Sequence, residues 1–253
     1  GIDFQKISVN TKVTQRLSAS GEVDWYSFEV PKAGYLSLSF SHEYVESGNE
    51  FWQSRLLDTN QTELVLRTYQ GNTLSVSEGP KVGVAAGTYY LKIDQRALWI
   101  YSDVDYTFTL NFTPAQDWEK EWNEDIKSAV SLTPGRTIHG SLMESDDVDY
   151  YKLVVSREDS LYITFSHDYV DSNALYWKLS LYNPSMEEMK ILSYVGNTAA
   201  PVTSEKISVG AGTYYIKISC NSNFSYSDVQ YNLLAKLDSV PVVTVTPIPT
   251  YRS

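Results

Sequence analysis

Two of the three histidines stand beside an acid, as His42-Glu43 and His167-Asp168, and both pairs lie inside one recurring stretch. Ser39 to Ser47 reads S-F-S-H-E-Y-V-E-S, and Thr164 to Ser172 reads T-F-S-H-D-Y-V-D-S. Imidazole next to carboxylate is metal-ligand chemistry in principle, but one His with acids at i+1 and i+4 matches no zinc spacing. The plainer reading is a strand-end His hydrogen-bonded across the rim of a sheet. Four further pairs of acids recur at matching places: Glu22/Asp147, Asp24/Asp149, Glu46/Asp171 and Asp103/Asp228. Oxygen ligands from loops are what calcium takes, so calcium stays open, although the spacing is not that of an EF-hand. No other cofactor is implied.

Catalytic signatures are absent from the sequence: there is no G-x-S-x-G elbow, no phosphate loop and no H-E-x-x-H. Paired carboxylates for glycoside cleavage can be assembled from many of the acids, yet the sequence singles out no pair. The expectation is a protein that is not an enzyme.

Aromatic residues carry the stronger signal, with 20 Tyr, 6 Trp and 8 Phe. Tyr26, Phe28, Trp52 and Tyr89 fall at inward strand positions and read as core, as do Tyr151 and Trp177. The surplus falls elsewhere: Trp25 and Tyr150, Tyr90 and Tyr215 on outward strand faces, and Tyr44, Tyr169, Tyr69 and Tyr194 near turns. Trp99 and Tyr101, matched by Phe224 and Tyr226, fall in the loop before the last strand of each half. Exposed aromatics ask for a partner. A flat apolar ring among hydroxyls and amides suits the C–H face of a pyranose. By analogy with base stacking, each such platform is worth about 1–3 kcal/mol. The candidate carbohydrate-binding set is therefore Trp99, Tyr101, Phe224, Tyr226, Trp25, Tyr44 and Tyr169.

The elements that position these residues come twice. At a fixed offset of about 125 residues, about 32 of roughly 85 positions from Glu22 to Tyr106 are identical without any gap, which marks a tandem duplication. The match carries G-T-Y-Y-L-K-I (Gly87 to Ile93) onto G-T-Y-Y-I-K-I (Gly212 to Ile218). Within each copy, apolar residues alternate with period two, as in Leu36, Leu38 and Phe40, or Trp177, Leu179 and Leu181. About seven or eight short strands per copy predict an all-β protein of two tandem antiparallel, jelly-roll-like β-sandwiches. Residues 1–113 form the first lobe and 131–238 the second. Between them, 114–130 is predicted as a short helix, with Thr113 as cap, Pro114 at its first position, and Trp118, Trp122 and Ile126 on one face that docks on a sandwich. The Pro/Thr-rich stretch 239–253 reads as a linker to another module.

A net charge of −11 repels phosphate backbones, so nucleic acid is not an expected partner. No apolar run is long enough to span a membrane. The single cysteine, Cys220, aligns with Gln95 and is expected to have no function of its own. The start at Gly1 reads as that of an excised module, and the linker points to an extracellular, secreted or cell-surface protein.

The motifs D-x-Y-x-F-x-V (Asp24, Tyr26, Phe28, Val30), W-K-L-S-L-Y-N (Trp177 to Asn183), G-T-Y-Y-x-K-I and a final Y-x-F-x-L resemble the bacterial pre-peptidase C-terminal domain. That resemblance covers both repeats and implies a β-sandwich accessory to secreted hydrolases. The tandem, aromatic-rich arrangement with its Pro/Thr tail is also similar to the starch-adherence proteins of amylosomes. That resemblance implies binding of starch or another α-glucan, and a scaffold partner reached through an adjoining module. The alternative function is a structural or protein-interaction accessory domain.

Overall fold

In a computed structural model, residues 1–244 are described; of the stretch read as a linker, 245–253 lies outside them. The chain divides into two compact units, Gly1–Glu121 and Trp122–Ser253, each considered by itself below. Among the described residues there are strands and turns but no α-helix, hence none long and apolar enough to cross a membrane.

The first lobe contains β1 (Gln5–Lys6), β2 (Val13–Gln15), β3 (Val23–Val30), β4 (Gly34–His42), β5 (Glu50–Leu57), β6 (Glu63–Gln70), β7 (Ser77–Glu78), β8 (Val82–Val84), β9 (Gly87–Asp94) and β10 (Tyr106–Pro114). One sheet runs β1-β3-β9-β5-β6; the other runs β2-β10-β4-β7, with β8 also on β4. The second lobe repeats this with β11 (Val130–Ser131), β12 (Ile138–Gly140), β13 (Val148–Val155), β14 (Asp159–His167), β15 (Leu175–Tyr182), β16 (Glu188–Val195), β17 (Val202–Thr203), β18 (Ile207–Val209), β19 (Gly212–Cys220) and β20 (Tyr231–Leu237). Its sheets are β11-β13-β19-β15-β16 and β12-β20-β14-β17, with β18 on β14. All pairings are antiparallel except β1 with β3 and β11 with β13. The extra strands beyond seven or eight are two or three residues long, too short to display a period-two pattern.

Alternation places every second residue inside. Tyr26, Phe28 and Val30 of β3 face Leu36, Leu38 and Phe40 of β4 and Tyr106, Phe108 and Leu110 of β10, all of them buried. Tyr69 of one sheet stacks on Phe40 of the other at 3.9 Å, and Tyr194 on Phe165 at 4.3 Å. Both tyrosines are core, which corrects their assignment to the exposed surplus. Each is the last inward residue of its strand, and stacking across the sandwich holds it there.

A polar clasp recurs at the same end of both cores. The Tyr26 and Tyr106 hydroxyls lie 2.6 Å apart, and Tyr106 donates to Asp24 at 2.5 Å. Tyr151, Tyr231 and Asp149 repeat the arrangement. Burial raises the Asp24 pKa, and it raises that of Tyr106 far more. Asp24 and Asp149, two of the acids weighed for calcium, are thus committed to tyrosine hydroxyls. Glu22 and Asp147 are committed as well: Glu22 accepts the backbone N–H of Ser18 and Ala19, and Asp147 that of Met143.

The helix predicted over 114–130 does not form. Pro114 is still strand, paired with Gly34 at the end of β10. Asp117 adopts φ 61°, a left-handed conformation that no helix interior accepts. Trp118 then packs on Tyr35 with centroids 4.6 Å apart, while Gly83 lets the backbone of the segment lie directly on β8. A Cβ at Gly83 would stand 1.9 Å from the Glu119 carbonyl oxygen. Trp118 is buried but Trp122 and Ile126 are exposed, so the spacing-four pattern marks no common face.

Candidate aromatic site at the loop end

Strand register gathers four loops at one end of the first sandwich. His42 pairs with Tyr106, Tyr106 with Gln15, Gln53 with Asp94, Val23 with Asp94, and Glu50 with Gln70. The β2–β3, β4–β5, β6–β7 and β9–β10 loops therefore emerge together. Backbone bonds lock them: Glu43 donates to Asp105, Val45 to Gly71, and Asn72 to Ser47, each at 2.9 Å. The second lobe repeats these with Asp168 to Gln230, Val170 to Gly196 and Asn197 to Ser172.

The recurring His-acid stretch supplies this scaffold. His42 stacks on Trp52 at 4.2 Å and His167 on Trp177 at 4.0 Å, with each Nδ1 against the carbonyl of the next residue. His167 Nε2 also reaches the Val195 carbonyl at 3.0 Å, a bond across the rim of the sheet.

Trp99 stands at the tip of a tight turn in the β9–β10 loop, closed by the Ile100 N–H donating to the Ala97 carbonyl at 2.9 Å. Its side chain is 86 % exposed. Phe224 occupies the matching turn, closed by Ser225 and Ser222, and is 99 % exposed. Below the first turn, the buried Gln95 amide donates to Ala97 O at 2.7 Å, while its Oε1 accepts from Gly21 N at 2.7 Å. In the second lobe Cys220 holds that place, its thiol against the Ser145 carbonyl.

The remaining candidates are spread unevenly. Tyr101 is half-buried, its phenol pKa raised by desolvation and by nearby Asp103 and Glu22. Tyr226 packs on the second core and donates to the Leu142 carbonyl at 2.8 Å. Tyr44 (52 % exposed) and Tyr169 (61 %) project from the β4–β5 loop and its counterpart. Trp25 lies on the outer sheet face beside the loop end, where the edge of Phe4 meets it at 5.7 Å and Lys92 Nζ lies 5.3 Å from its ring centre. Tyr90 touches the same Phe4 at 4.9 Å. Nothing in the sequence marked Phe4 or Gln95, because neither has an equivalent of the same type in the other repeat.

No family model matches the chain, and no curated protein matches it. Among solved structures it is similar to the pre-peptidase C-terminal domain of collagenase from Bacillus anthracis, at 21 % identity and TM-score 0.34, covering 43 % of this chain and 94 % of that one. It is similar to the CUB1-EGF-CUB2 region of human MASP-1/3 at 12 % identity and TM-score 0.26, covering 89 % and 98 %. It is also similar to the CBM22-1-CBM22-2 tandem domain of Paenibacillus barcinonensis Xyn10C at 10 % identity and TM-score 0.27, covering 89 % and 85 %. All three are β-sandwich folds, the first being the family whose strand motifs the sequence resembles.

Proposed function

We propose that the chain is a non-catalytic carbohydrate-binding module that takes starch or a related α-1,4-glucan on the loop ends of its two lobes. The observation that carries this reading is the pair Trp99 and Phe224, exposed aromatics raised on tight turns at equivalent places. The turn backbone that carries each ring is already ordered before binding, so contact costs little further backbone freedom. Tyr44 and Tyr169 extend the surface on each lobe. With net charge −11 and a neutral ligand, affinity depends little on salt. Two linked sites favour long chains over short oligosaccharides through effective concentration. An extracellular setting and a scaffold partner engaged through an adjoining module complete the proposal. Affinity electrophoresis in amylopectin, with parallel gels of xylan, a soluble cellulose derivative and β-glucan, tests it: retardation in amylopectin is expected, and free migration in every gel refutes it.

A second reading, a protein-interaction accessory domain, draws on the exposed aliphatic residues Leu74 (85 %), Leu98 (69 %) and Val76 (56 %) at the first loop end. It predicts no glycan retention and a protein partner whose binding falls on Leu74→Ser.

A further inference from the structure

At the loop end of the first lobe, β4, β5, β6, β7 and the β6–β7 loop line a half-open cavity of about 230 Å³ that the exposed aromatics do not reach. Phe40 and Tyr69 contribute apolar wall, and the rest is polar: His42, Glu50, Gln70, Ser75 and Ser77, with Thr68 and Thr73 beside them.

The duplication provides an internal comparison. At the matching positions the second lobe has Leu175 for Glu50, Val195 for Gln70, Ala200 for Ser75 and Val202 for Ser77. The walls Phe165 and Tyr194 and the ring His167 are kept. Four polar groups around one cavity thus have apolar counterparts on the same scaffold, so the fold itself does not require them. The imidazoles differ too. His167 Nε2 lies against the Val195 carbonyl, whereas His42 Nε2 is buried without a hydrogen-bond partner.

The chemistry of the lining selects the ligand class. Glu50 is already satisfied, accepting from Thr68 Oγ1 at 2.8 Å and pairing with Arg96. No lysine or arginine lines the cavity, so an anion finds no counter-charge. Hydroxyls, an amide and an imidazole ring beside aromatic carbon suit a neutral polyol. The volume falls below the usual range of about 300–1,000 Å³ for drug-sized ligands, and suits one sugar ring rather than a running chain.

We infer that this pocket binds a single neutral pyranose residue, a chain end or branch of the glycan, its hydroxyls meeting Gln70, Ser75 and Ser77 beside the His42 ring. The inference rests on the carbohydrate reading above but concerns a different surface from Trp99 and Phe224.

The test is NMR titration of the intact chain with maltotriose, following the ring signals of His42 and His167, for the wild type and for Gln70→Val combined with Ser77→Val. Both substitutions install residues that the second lobe carries at those positions, and an unchanged melting temperature verifies folding. The expected result is a saturable shift of His42 alone, and at least tenfold weaker maltotriose binding in the variant. Retention on amylopectin with His42 unmoved and variant affinity equal to wild type overturns the pocket while leaving the aromatic site standing. Absence of binding to every glycan overturns both.

Discussion

The Gln95 side-chain amide donates to the Ala97 carbonyl at 2.7 Å, and this bond fixes the root of the turn that carries Trp99. The residue binds no glycan itself; it sets where the turn holds Trp99. Gln95→Ala removes the Gly21 N–H partner and one of the two bonds to the Ala97 carbonyl, which costs about 1 kcal/mol of stability. The first lobe is therefore expected to melt lower and to bind soluble starch more weakly, although Trp99 is still present. Calorimetric melting and isothermal titration of this variant measure the two effects.

Exposure separates binding aromatics from structural ones. Trp99→Ala and Phe224→Ala are each expected to leave the melting temperature within error of wild type, since neither side chain is packed. Each is expected to weaken starch binding by about 1–3 kcal/mol, more for Trp99 because its ring is larger. Tyr226→Ala should instead lower the melting temperature, by removing packing on the second core and the bond to Leu142. Equal melting of all three variants contradicts this division.

The repeat, the two sandwiches and most of the inward residues were legible in the sequence because period-two alternation survives wherever one strand face is buried. Tyr26, Phe40, Trp52 and Tyr106 lie where the pattern puts them. Two kinds of feature were not legible. Trp118, Trp122 and Ile126 mimic helical spacing, yet the left-handed Asp117 and the tertiary contacts of Trp118 and Gly83 decide the backbone there, and no local propensity reports those. Likewise, Tyr69 looks like a turn residue until its stacking on Phe40 is known. The polar lining around His42 was present in the letters, but only the pairing of Glu50 with Gln70 shows that these residues share one cavity.

The irregular segment after β10 bears on where the second lobe begins. Tyr150 N–H donates to the Asn123 carbonyl at 2.8 Å, so this lobe draws on residues before Val130. A fragment comprising residues 122–244 is expected to fold, with β-type circular dichroism and cooperative melting. A fragment starting at residue 131 loses this bond and half of β11, and should melt at lower temperature. Unfolded behaviour of both fragments contradicts independent cores.

Buried phenols give the protein an alkaline limit. Desolvation pushes the pKa of Tyr69 up to about 12 and raises those of Tyr26, Tyr106 and Tyr194 further. A group whose folded pKa exceeds its unfolded value near 10 stabilises fully below pH 10, and that contribution falls as pH rises from 10 through the folded value, which is about 12 for Tyr69 and higher for the other three. Phenolate absorbance is expected to rise in two stages: exposed tyrosines first, then the buried set together with loss of β-type circular dichroism. Ionisation of all the tyrosines in one step near pH 10 with the fold intact contradicts the burial of these four residues.

The account stands most directly on the two raised aromatics. Isothermal titration of soluble starch into the wild type and into the Trp99→Ala/Phe224→Ala double variant, at matched melting temperature, measures what they contribute. The account predicts that the double variant loses at least tenfold in affinity and that the wild type binds starch more tightly than it binds maltotriose. Wild-type affinity in the double variant would contradict it, placing the glycan, if one binds, away from both turns.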